Sequence, residues 1–207
     1  MPSILTIFRT GFAALALAAI GTQLVLHVGA SYSVLNFFSY FTNLSNLVAA
    51  SVLLLCAFDV RSSNDRSLTL ARYVSTVNMT VVGVVFAVLL RNVDLGALLP
   101  WVNFVLHTVM PVVVFLDWLL DPPASSLRSS RILLALLFPG FYLAYALLRG
   151  ASTGWYPYPF LNPANVGGYG GIALYALGIA AVVLVASGLL LAVGNRRAIT
   201  KSGASYS

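Results

Sequence analysis

The chain has 207 residues, of which 60% are hydrophobic and only 8% charged, against the roughly 25% charged residues of a soluble globular domain. That composition excludes a water-soluble fold and points to lipid as the solvent. The net charge of +6 could suggest nucleic acid, but the Arg and Lys residues fall in short connections between apolar runs rather than on one basic face, which excludes that partner.

A bilayer-spanning helix needs about 20 mostly apolar residues, and six segments meet that test in chain order: 11–28, 37–58, 70–90, 98–120, 132–148 and 171–193. The pattern predicts an all-α polytopic membrane protein, a six-helix bundle forming one domain over 1–207. The first segment follows Arg9 and ends in small residues, as a signal peptide does, but it exceeds the roughly 7–15 apolar residues of a signal core and is read as a span. Glu is absent, and the five Asp (Asp59, Asp65, Asp94, Asp117 and Asp121) lie at or near the ends of apolar stretches. The single cysteine, Cys56, has no intrachain disulfide partner and reads as a packed thiol.

Basic residues in short loops accumulate on the cytoplasmic side. With the N-terminus inside, that side holds Arg9, Arg61, Arg66, Arg72, Arg128, Arg131, Arg196, Arg197 and Lys201, and only Arg91 and Arg149 lie outside. Both termini are therefore expected in the cytoplasm, in a multi-pass protein of an inner or plasma membrane. The longest outward connection, 150–170, carries Trp155-Tyr156-Pro157-Tyr158-Pro159-Phe160. Its prolines forbid a regular helix, and its aromatics fit either an ordinary headgroup belt or a cover over the outer mouth of the bundle. Gly167-Gly168-Tyr169-Gly170-Gly171 then reads as a flexible lead into the sixth helix.

Two glycosylation sequons, at Asn43 and Asn78, fall inside predicted spans, where no transferase reaches them; both asparagines are read as facing the bundle interior. At 100° per residue Ser39, Thr42, Asn43 and Asn46 share an arc of about 100° on the second helix. Amides exposed to lipid lack partners, so this stripe faces other helices or a wet cavity. By itself it fits interhelical hydrogen bonding.

The fourth helix holds His107, the only ionisable group read as well inside a span, and intramembrane ionisable residues are functional candidates by default. Asn103 lies one turn earlier, where its amide could fix the imidazole tautomer. Pro111 cannot bond the carbonyl of His107 and predicts a kink. Thr42 is six residues in from Asn36, roughly 9 Å, and His107 is seven in from Pro100, roughly 10 Å, so the two can lie level. A threonine hydroxyl needs a base to become a nucleophile, and a neutral imidazole in apolar surroundings is such a base. Asn43, Asn46 or Asn103 could donate to an oxyanion. No second His or carboxylate shares this depth, so no metal site is predicted, and no cofactor is implied. His27 reads as an interfacial residue.

Phe38-Ser39-Tyr40-Phe41-Thr42, His107-Thr108-Val109-Met110-Pro111 and Gly154-Trp155-Tyr156-Pro157-Tyr158-Pro159-Phe160-Leu161 together resemble the androgen-induced membrane hydrolase family. That family comprises multi-pass threonine hydrolases that cleave fatty acid esters of hydroxy fatty acids. The resemblance runs from the second helix to the loop before the sixth, and it implies Thr42 as nucleophile, His107 as base and a membrane lipid ester as substrate. The stripe beside Thr42 is more polar than the family pattern and the His-to-Pro spacing is one residue shorter, features that resemble a distant, bacterial branch. A small transporter or lipid-binding protein without covalent chemistry is the alternative from another class; its polar stripe and proline would serve a conducting bundle equally well.

Overall fold

A computed structural model of the chain describes residues 3–58, 66–93 and 98–203. Asp59, Arg61, Asp65 and Asp94 lie outside the described residues, as does the side chain of Lys201. Helix dominates, with no strand among the described residues, and six helices are long and apolar enough to cross a membrane. The spans are Ile4–Gly29, Phe41–Phe58, Arg66–Leu90, Pro100–Leu120, Arg131–Thr153 and Tyr169–Ala198, numbered first to sixth below. Large apolar side chains cover their outer faces; Val88, Phe141 and Leu148 are each 74% exposed, an arrangement stable only against lipid.

Local chemistry sets the helix ends. Ser3 caps the first span by accepting the Thr6 N–H at 3.1 Å, and Pro100 opens the fourth, where a missing N–H costs nothing. The fifth closes on Gly154, whose φ of 73° is left-handed. Within that span Ala135 and Leu136 separate Arg131–Leu134 from Leu137–Thr153. Pro139 supplies the reason, since it has no N–H for the carbonyl of Ala135. Gly167 and Gly168, read from sequence as a flexible lead, form a defined left-handed turn before the sixth span. A side chain at Gly171 would strike the carbonyl oxygen of Val166, so that turn closes only over glycine.

The first span packs on the second, the second on the third, and the third on both the fourth and the sixth. Ala13, Ala16 and Ala19 of the first meet a core that includes Ala49 and Ala50 of the second. Such small residues let helix backbones approach closely in lipid. The fifth span is peripheral: in Leu137–Thr153 only Ala146 and Gly150 are buried.

Two sequence expectations need correction. The helix expected over 37–58 is interrupted: a short helix, Val34–Phe38, ends at Ser39, and the second span begins at Phe41. The Ser39 hydroxyl turns back onto the Leu35 carbonyl at 2.6 Å, while the Ser39 carbonyl accepts the Tyr142 hydroxyl at 2.9 Å rather than serving the next helical turn. Arg9, expected to precede the first helix, and Arg72, expected among the cytoplasmic-side charges at the start of the third, are both buried within the first and third spans. Arg9 pairs with Asp117 at 2.6 Å and Asp121 at 2.8 Å, and Arg72 pairs with the same two at 2.9 and 3.3 Å. Two positive and two negative groups compensate one another, which is what lets them leave water. The first span consequently begins seven residues before its expected start at Gly11.

Candidate active site

The break at Ser39 and Tyr40 places Thr42 in the first turn of the second span, where backbone N–H groups lack acceptors within the helix. Thr42 is buried, and its Oγ1 lies 3.2 Å from His107 Nε2. The pair expected at one depth is thus within hydrogen-bond reach, across the contact between the second and fourth spans.

His107 sits in a π-helical turn, Val105–Val109, that ends just before Pro111. The proline cannot bond the His107 carbonyl, and the chain accommodates this by widening one turn, so that the Met110 N–H reaches the Val105 carbonyl. Across from it, the third span ends in a second π-helical turn, Phe86–Leu90. The Phe86 ring stacks on the imidazole with centroids 4.4 Å apart and planes 25° apart. Gly83 makes room for this contact between spans: a Cβ there would lie 3.2 Å from that of Pro111.

The tautomer follows from the partners. His107 Nδ1 is 3.1 Å from the backbone carbonyl of Asn103, which can only accept. Nδ1 therefore carries the proton, and in the neutral ring Nε2 presents its lone pair to Thr42. It is the Asn103 main chain, not its amide, that orients the ring; the side-chain Oδ1 of Asn103 is buried without a partner among the described residues.

The other asparagines divide. Asn46 is fully buried and donates to the carbonyls of Thr42 at 2.9 Å and Leu106 at 3.1 Å, clasping the second span to the fourth beneath the Thr–His pair. Both its N–H groups are used, so it has none to offer an oxyanion. Asn43 donates to the Phe37 carbonyl at 2.8 Å, keeps a second N–H and lines the same cavity as Thr42 and His107. Ser39, assigned to the same stripe, turns instead to Tyr145 of the fifth span at 2.7 Å.

Tyr158 is the neighbour that sequence reasoning missed. Its hydroxyl accepts the Thr42 N–H at 3.2 Å and lies 3.3 Å from Thr42 Oγ1. Burial pushes its pKa up to about 12 against the opposing pull of its bonds to Thr42, so it stays a protonated donor at neutral pH. The aromatic segment therefore folds back over the second span. Phe160 stacks on Tyr158 with planes 3° apart, and Tyr40 meets the edges of both Trp155 and Tyr158. The available signals were the density of aromatics and prolines in this loop, which an interfacial belt shares, and its place among the motifs that carry the family resemblance.

Thr42, Asn43, His107 and Tyr158 open onto a cavity of about 290 Å³ whose other walls include Gln23, His27 and Trp155. His27 is half-buried and bonds the Ser33 carbonyl at 2.9 Å through Nε2. Among the described residues no three His, Cys, Asp or Glu side chains gather as metal ligands do.

Six apolar spans define a multi-pass membrane protein, with a buried hydroxyl–imidazole contact at one end of its bundle. The chain belongs to the FAR-17a/AIG1-like family, the androgen-induced gene 1 family, whose model matches residues 29–192. That match covers the Thr42, His107 and Tyr158 positions, and membership is consistent with a membrane hydrolase. Comparison with curated proteins and with solved structures returned no match.

Proposed function

We propose that the protein is an intramembrane lipid-ester hydrolase in which Thr42 is the nucleophile and His107 the general base. The observation that carries this reading is the Thr42 Oγ1 to His107 Nε2 contact of 3.2 Å, with Nδ1 held by a carbonyl so that Nε2 accepts. Thr42 Oγ attacks the ester carbonyl as its proton passes to Nε2, and the imidazolium then protonates the departing alkoxide. Water, deprotonated by the same nitrogen, cleaves the acyl-threonine and restores both groups. The protonated Tyr158 hydroxyl and the second N–H of Asn43 are the donors for the oxyanion, in a turn where the helix dipole also favours negative charge.

With the basic loops on the cytoplasmic side, this end of the bundle faces the outer leaflet, and a lipid ester reaches it sideways from the bilayer. The family resemblance makes fatty acid esters of hydroxy fatty acids the first substrates to try.

Purified protein in detergent, assayed on such an ester, tests the reading. Thr42→Ala is expected to reduce hydrolysis to background, and His107→Ala to lower kcat by about 10²–10⁴-fold, the range of general-base assistance. Undiminished hydrolysis by Thr42→Ala would remove the proposed nucleophile. A wild type that binds the ester but never cleaves it would favour a lipid-binding or transport role.

A further inference from the structure

We infer that the two halves of the ester occupy separate cavities meeting at Thr42, with the acyl chain in the apolar one and the alcohol in the polar one. This deepens the ester-hydrolase reading and rests on it. Beside the polar cavity lies a second, of about 250 Å³, between the third, fifth and sixth spans. The two share Thr42, Leu90 and Tyr158 as a common wall. Beyond that wall the second cavity is lined by hydrocarbon, including Val81, Val85, Leu143, Ile179 and Val183.

The direction of binding follows from where His107 stands. It lines the polar cavity and, among the described residues, does not line the apolar one. Attack forms the Thr42 Oγ–carbon bond and sends the Oγ proton to Nε2; collapse breaks the carbon–alkoxide bond, and that proton goes to the alkoxide. The alkoxide must therefore leave on the imidazole side, as must the water that later attacks from the vacated position and gives its proton to Nε2. The acyl group stays bonded to Thr42 from the attack until water releases it, and its chain is left to the opposite side of the shared wall.

At about 30 Å³ for a group the size of water, the apolar cavity holds roughly eight methylenes. A longer chain continues past Val85 and Ile179, which also line an open groove along the third and sixth spans.

Gly140 lines the apolar cavity with nothing within 4 Å of where a Cβ would stand, so a larger side chain has room at its edge. Two series of esters are hydrolysed by wild type and Gly140→Leu: octanoyl against acetyl esters of one alcohol, and octyl against ethyl esters of acetic acid. The expected result is a fall of at least about tenfold in the octanoyl-to-acetyl ratio of kcat/KM, the scale of discrimination set by filling an apolar pocket, with the octyl-to-ethyl ratio unchanged. Ala180→Leu, on the sixth-span wall of the same cavity, should reproduce that fall, which guards against misfolding of one variant. A change in the alcohol ratio instead, or in neither ratio, would overturn the assignment. Failure of the wild type to cleave either series would overturn the hydrolase reading itself.

Discussion

His107 has one nitrogen on a carbonyl that can only accept and the other on a hydroxyl, so its protonation pattern is dictated before any substrate arrives. Tyr158 completes the constellation from a loop 116 residues away in sequence. Removing that hydroxyl while keeping the ring is the most informative single change. Tyr158→Phe is expected to lower kcat on the order of 10²-fold, as loss of one oxyanion donor does, with the protein still folded. Because burial holds this phenol up at about 12, its donor persists where an ordinary tyrosine ionises. Activity should therefore not fall near pH 10 through Tyr158, and a pH–rate profile of wild type beside Tyr158→Phe checks the point: an alkaline loss centred near 10, absent in the variant, would contradict it.

At the scale of the elements, the fourth span carries two devices. Near its start the π-helical turn and Pro111 aim His107 at the second span; near its end Asp117 and Asp121 draw Arg9 and Arg72 out of water, tying the first and third spans to the fourth. Ten residues separate His107 from Asp117, about 15 Å of helix, so the clamp acts on the frame rather than on the chemistry. Asp117→Asn leaves two buried guanidinium groups undercompensated and is expected to destabilise the fold by about 3–5 kcal/mol. Unfolding monitored in detergent checks this; an unchanged midpoint would show that the cluster contributes nothing net. None of this pairing was legible from one span at a time, because each arginine stands at the start of an apolar run and its partner lies on a distant helix. The break at Ser39 was equally hidden. No Gly or Pro marks it, and it is made by a side chain turning onto its own backbone and by Tyr142 from the fifth span.

Over the whole molecule, what could be read from sequence was what lipid enforces on every residue. Twenty-residue apolar runs yielded the six spans, and the demand that intramembrane polar groups face inward brought out Thr42, Asn43, Asn46 and His107, all of them buried. Depth, counted at a fixed rise per residue, anticipated that Thr42 and His107 could lie level, but not that the second and fourth helices touch. What periodicity does not encode is tertiary return: the fold-back of Tyr158, the use of Asn46 as a clasp rather than a donor to ligand, and the two cavities sharing one wall. In the proposed chemistry Thr42 becomes covalently acylated with help from His107. The most direct test is to treat the purified protein with a fluorophosphonate and map the adduct by mass spectrometry. One phosphonyl group is expected on Thr42, absent in Thr42→Ala and formed far more slowly in His107→Ala; an adduct on another residue, or labelling that survives Thr42→Ala unchanged, would remove Thr42 as the nucleophile.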